Sequence, residues 1–122
     1  MTAVDRYREV TTIVVMAEKR SFAIVYDPEV RNHLRAIETK YHALIRSTAE
    51  QQLKISPDVE TRNRKPLKRP VDFEAEWELR FGPDNRFRLF YAVDHARREV
   101  HVLALGVKVG SRLTIGGEEI TI

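Results

Sequence analysis

Three consecutive segments decide how this chain reads: Trp77-Glu78-Leu79-Arg80-Phe81, then Gly82-Pro83-Asp84-Asn85, then Arg86-Phe87-Arg88-Leu89-Phe90-Tyr91-Ala92-Val93. The outer two alternate polar and apolar residues with a period of two, as expected of strands with one buried face. The middle one is turn chemistry, so the strands form a hairpin. In the second strand Phe87, Leu89, Tyr91 and Val93 share one face, and Arg86, Arg88, Phe90 and Ala92 share the other. Glu99 to Val107 is a third strand, apolar enough to lie inside the sheet. The parity of Gly106 brings Lys108 to the end of that strand. Leu113 to Ile120 can add a short edge strand.

Working outward, Asp27-Pro28-Glu29 is a helix start. Asp can cap, Pro fits the first helical position where its missing N–H costs nothing, and Glu suits the positive helix end. Val30, Leu34, Ile37, Tyr41, Leu44 and Ile45 then recur at helical spacing, with Arg31, Arg35, Glu38 and Arg46 on the other faces. The pattern runs to Leu53 or Ile55 and stops before Pro57, predicting one long amphipathic helix or two with a bend. Before it, Val10 to Met16 and Ser21 to Tyr26 read as a hairpin broken by Glu18-Lys19-Arg20. After it, Ser56 to Val71 holds Pro57, Pro66 and Pro70 and reads as a loop. The expected fold is therefore α+β: a long N-terminal helix, or helical pair, packed on a twisted, mainly antiparallel sheet of three to five strands.

The 122 residues suffice for one domain, since chains commit roughly 100–200 residues to each. Without cysteine, disulfide scaffolds, thiolate metal sites and cysteine nucleophiles are excluded. Apolar runs such as Ile13 to Ala17 are too short to span a bilayer, and Met1 to Arg6 lacks the pattern of a secretory leader. A cytoplasmic chain is expected. Its formal net charge is only +3, but Arg62-Asn63-Arg64-Lys65-Pro66-Leu67-Lys68-Arg69 concentrates cations without a carboxylate. Such a segment suits a local phosphate contact, or simply a solvated loop.

Phosphate recognition rewards fixed cations, and Arg62, Arg64, Lys65, Lys68, Arg80, Arg88 and Lys108 are the candidates. The plainer alternative pairs Arg80 and Arg88 with Glu76, Glu78 or Asp94 on neighbouring strands. His33 and His42 are too far apart along the helix to share one ion, and neither His95 nor His101 stands in a recognised ligand motif. No metal or cofactor is expected. There is no glycine-rich phosphate loop, and Ser21, Ser47, Ser56 and Ser111 lack a nucleophile-elbow context. Trp77 reads as strand packing rather than a platform for a base.

Taken together, Asp27-Pro28-Glu29-Val30, Thr61-Arg62-Asn63-Arg64-Lys65-Pro66-Leu67, Trp77-Glu78-Leu79-Arg80, Arg88-Leu89-Phe90-Tyr91-Ala92-Val93-Asp94 and Leu103-Ala104-Leu105-Gly106-Val107-Lys108 resemble the RelE/ParE superfamily of type II toxin–antitoxin toxins. The likeness covers residues 22–119. It implies a toxin with a cognate antitoxin partner and, for the RelE-like branch, ribosome-dependent mRNA cleavage that inhibits translation. The alternatives are a ParE-like inhibitor of DNA gyrase and a non-catalytic, antitoxin-binding member. Arg88 matches the family's phosphate-clamping arginine, Lys108 a second catalytic cation, and Arg80 the arginine ending the preceding strand. Glu76 and Glu78 stand where ribonuclease members carry lysines, and Thr114 where they carry a tyrosine, so Lys65 or Lys68 is the substitute base. Arg62, Arg64, Lys68 and Arg80 are then RNA-binding; Arg88, Lys108 and Lys65 are catalytic. Residues 1–20 form an extension with an extra strand that suits a homodimer, and residues 21–122 form the toxin-like domain.

Overall fold

The computed structural model describes residues 21–68 and 74–120, so the expected strand and homodimer surface in residues 1–20 lie outside the described residues. Strand β1 (Ala23–Tyr26) leads into helix α1 (Glu29–Arg35), a 3-10 turn (Thr39–Tyr41) and helix α2 (His42–Leu53). Strands β2 (Arg64–Pro66), β3 (Trp77–Phe81), β4 (Phe87–Asp94), β5 (Glu99–Val109), β6 (Arg112–Ile115) and β7 (Glu118–Ile120) follow. The helix periodicity resolves into the pair rather than the single rod. Glu38 is extended (ψ 135°), and His42 Nε2 meets the Ile37 carbonyl at 2.8 Å, closing the bend. Asp27 Oδ1 accepts the Glu29 amide at 2.9 Å, which is the capping the sequence anticipates.

The sheet is larger than expected, with seven strands among the described residues instead of three to five. One addition is β2, inside the segment read as a loop. Among the described residues it pairs on one side only, with β3, and an edge strand tolerates Pro66 because the missing N–H breaks no second ladder. The other is the tail, which folds back on itself as β6 and β7 through Gly116 and Gly117, both at positive φ (63° and 84°). The order is β2-β3-β4-β5-β6-β7, all antiparallel, while β1 joins β5 in parallel.

The core lies between helices and sheet. Val30, Ile37, Ile45, Ala49 and Leu53 meet Leu79, Phe81, Phe87, Leu89, Tyr91, Val100, Val102 and Leu105 there. Half-buried Trp77 stacks on Tyr91 at 6.3 Å, consistent with a packing role. Tyr91 is fully buried and donates its hydroxyl to the Pro57 carbonyl, tying the loop after α2 to the sheet. Burial holds that phenol well above the usual tyrosine range. The far face carries a second, smaller cluster of Ala75, Phe90, Ala104, Leu113 and Ile115.

The two faces are phased by a bulge. Pairing between β4 and β5 steps from Phe90↔Ala104 to Tyr91↔Val102, which leaves Leu103 as an extra residue. Before it, Val100 and Val102 face the core; after it, Leu105 and Val107 do. The change of parity puts Ala104, Gly106 and Lys108 on the same face as Arg88 and Phe90.

β1 pairs with β5 as far as Val102 and β6 begins at Gly106, so the β5 edge is unpaired by strands in between. His33 fills the gap: its Nδ1 accepts the Leu105 amide at 3.2 Å. Burial lowers the His33 pKa from 6.5, more than Glu29 and Asp27 raise it. The unfolded chain therefore binds the proton more readily than the folded one. Stability is full above about pH 6.5 and falls as pH drops through that value towards the depressed folded pKa. Denaturant melts at pH 7 and pH 5.5 should show this loss, and His33→Gln, which accepts without titrating, should flatten it.

Candidate functional site

The strand registers lay out the far face as a lattice. One row crosses Lys65 on β2, Glu78 on β3, Phe90 on β4 and Ala104 on β5. The next crosses Arg80, Arg88, Gly106 and Ile115. In the row beyond, the Lys108 amide donates to the Arg86 carbonyl at 2.7 Å. Three sequence-predicted residues of the strands, Arg80, Arg88 and Lys108, thus share one face, and Lys65 borders it.

The row position of Gly106 explains its residue type. A Cβ there would lie 2.9 Å from the Thr114 carbonyl oxygen and 3.0 Å from Leu113 Cδ1. Glycine lets β6 close against β5, and the Ile115 side chain comes to 3.1 Å of the place a Cβ would take.

Arg80 and Arg88 stand directly opposite each other, an unfavourable like-charge pair on its own. Glu78 offsets it. Its Oε1 accepts Arg80 Nε at 2.5 Å and an Arg88 terminal nitrogen at 3.1 Å. Glu78 and Arg88 are only 8% and 9% exposed, so this ion pair is screened far less than a surface one. Arg88 Nε also donates to the Asn85 carbonyl at 3.1 Å. Burial lowers the Arg88 pKa, Glu78 raises it and Arg80 lowers it.

Sequence reading misplaced some of this. Arg88, named as a phosphate-binding cation, lies buried beside Phe90 and its apolar neighbours. Glu78, taken as a departure from a lysine pattern, is the centre of the cation cluster. The plainer reading had named it among three carboxylate partners for Arg80 and Arg88, and the i, i+2 spacing of Glu78 and Arg80 on one strand face opposite Arg88 singles it out.

The basic loop divides. Arg64 turns to the helix side and donates to the Gln52 and Ser56 carbonyls, both at 2.7 Å, securing the end of α2. Lys65 Nζ lies 3.5 Å from Glu60. Arg62 and Lys68 are exposed. Thr114 does not join the cation face: its neighbours Leu113 and Ile115 do, and Thr114 Oγ1 donates to the Val107 carbonyl on the other side. Glu76 is exposed and accepts the Val93 amide at 3.1 Å, a strand-closing contact.

No family model and no curated protein matches the sequence. The architecture does match a chain of the toxin–antitoxin complex RelBE2 from Mycobacterium tuberculosis, with a TM-score of 0.54. Identity is 18%, and the match covers 72% of this chain and 99% of that one.

The chain shares the fold of that RelBE2 chain.

That shared fold agrees with the α+β architecture the resemblance implied, here with β1 and the β6–β7 hairpin flanking one edge of β5. At 18% identity the likeness is one of backbone, and the roles of side chains have to come from the Glu78–Arg88 site itself. No helix among the described residues is long and apolar enough to cross a membrane.

Proposed function

We propose that this chain is the toxin of a type II toxin–antitoxin pair and a ribosome-dependent mRNA endoribonuclease. The observation that carries the reading is the buried Glu78–Arg88 pair on a face shared with Arg80 and Lys108. RNA can be cut by its own ribose: the 2′-oxygen attacks the adjacent phosphorus, and the bond to the 5′-oxygen breaks. The products are a 2′,3′-cyclic phosphate and a free 5′-hydroxyl. This needs a proton acceptor, cations on the pentavalent phosphorus, and a proton for the leaving oxygen.

Glu78 takes the proton of the 2′-hydroxyl. Arg88 and Arg80 hold the non-bridging oxygens, for which a guanidinium fork is suited. Lys108 donates towards the leaving 5′-oxygen. Lys65 neighbours Glu78 across the β2–β3 ladder and adds positive charge at that border instead of serving as base. Arg62 and Lys68 extend the contact to flanking phosphates. The antitoxin is the natural partner, and translating ribosomes place the activity in the cytoplasm.

A second reading follows from the same pair. Because Arg88 is already neutralised by Glu78, the face could serve binding alone. The two separate on expression without any antitoxin, with growth and mRNA 5′-ends on translating ribosomes measured together. Cuts at fixed codon positions that vanish in Arg88→Ala support the ribonuclease. Growth arrest with intact transcripts and chromosomal double-strand breaks would point to gyrase, and unimpaired growth to a binding fold.

A further inference from the structure

The turn end of the β4–β5 hairpin lies away from the Arg88 row and holds a different set of groups. Asp94 and Glu99 are direct cross-strand partners, and His101 follows Glu99 on the same face of β5. One ligand atom from each lies within 4.8 Å of the others. His101 Nε2 and Glu99 Oε1 are 3.2 Å apart. Two donors bound to one ion at about 2.1 Å stand roughly 3.0–3.4 Å apart, so this separation already fits a shared metal. Asp94 Oδ1 accepts the Arg97 amide at 3.0 Å, which orients the carboxylate and leaves its second oxygen to bind.

The surroundings admit a cation. Arg98 stacks on Phe22 at 4.5 Å, and His95 pairs with Asp58 at 2.9 Å while packing edge-on to Phe22. Phe22 belongs to the helix-side core, so both groups are drawn off the triad's face. Small residues flank the set: Ala92 opposite His101, and Ala23 beside Glu99. The His101 and Glu99 side chains keep 37% and 27% of their exposure, which allows an ion to enter and water to complete its shell.

We propose that Asp94, Glu99 and His101 form a binding site for a divalent transition metal, with Zn2+ the expected occupant. One imidazole with two carboxylates suits Zn2+ better than Mg2+, which prefers an all-oxygen shell. The ion bridges β4 to β5 where β1 also joins, and so fastens the hairpin end of the sheet. Spacing in the sequence hides the set, because Asp94 reaches the other two only through the strand register.

The test is titration of the full chain with Zn2+ by calorimetry, with Co2+ as a spectroscopic probe and Mg2+ as a comparison. One equivalent of Zn2+ should bind, and the melting temperature should rise by roughly 5 °C at tenfold excess over Kd. His101→Ala should weaken binding at least tenfold, while His95→Ala leaves it unchanged. Glu99→Gln preserves shape and should weaken it too, which separates ligand loss from misfolding; circular dichroism checks both variants. No binding by about millimolar Zn2+, or wild-type affinity in both His101→Ala and Glu99→Gln, would overturn the site.

Discussion

Glu78→Gln should leave the chain folded and able to hold RNA while slowing cleavage by about 10²–10⁴-fold, the range that one general base contributes. Glutamine keeps an Oε1 acceptor for Arg80 and Arg88, so the cross-strand cation pair retains its bridge. What it loses is the capacity to take a proton. Single-turnover cleavage on programmed ribosomes reads the rate, and filter binding to RNA reads the grip. If Glu78 only silenced Arg88, removing its charge would strengthen RNA binding without a loss of rate. A rate equal to or above wild type, with tighter binding, would therefore remove Glu78 from the chemistry. The melting temperature belongs beside both readouts, since Arg88 is buried and depends on a nearby counter-charge.

Leu79→Ala should destabilise the fold by about 2–5 kcal/mol, the usual cost of emptying a buried leucine site. Leu79 is fully buried at the centre of β3, with Arg64 and Leu89 as its cross-strand partners. The same strand carries Glu78 and Arg80 on its other face, so the loss reaches the cation cluster through the backbone. Urea denaturation measures the first effect. A change below ~1 kcal/mol would mean that β3 does not anchor the core as the burial implies.

How much of this was legible in the sequence depends on how local each feature is. The β3–β4 hairpin was, because two alternating segments and a Gly-Pro-Asp-Asn turn contain all the information. The start of α1 was equally local. The β2 strand was not, since Pro66 reads as loop and only an outer position in the sheet makes it permissible. The parallel partnership of β1 with β5 joins residues 76 positions apart and leaves no local trace. Arg64 stood in a run of cations with nothing to show that its guanidinium reaches back to Gln52 and Ser56. In the site, Arg80, Arg88 and Lys108 were named from their strands, whereas Glu78 was one of three carboxylates offered as their partner, with nothing local to choose among them. Its value is relational: it comes from two arginines brought opposite one another by pairing.

The extra residue at Leu103 works by number, independently of what its side chain is. Flatten the bulge while keeping every residue and each side chain downstream on β5 exchanges sides. Lys108 would be driven among the helices, and Leu105 and Val107 would be turned out towards the arginines. Core and cation cluster are thus kept in step by a single count, as a reading frame is. Loss of Leu103 itself would leave both faces as they stand, because Ala104 would still oppose Phe90 in an unbroken ladder.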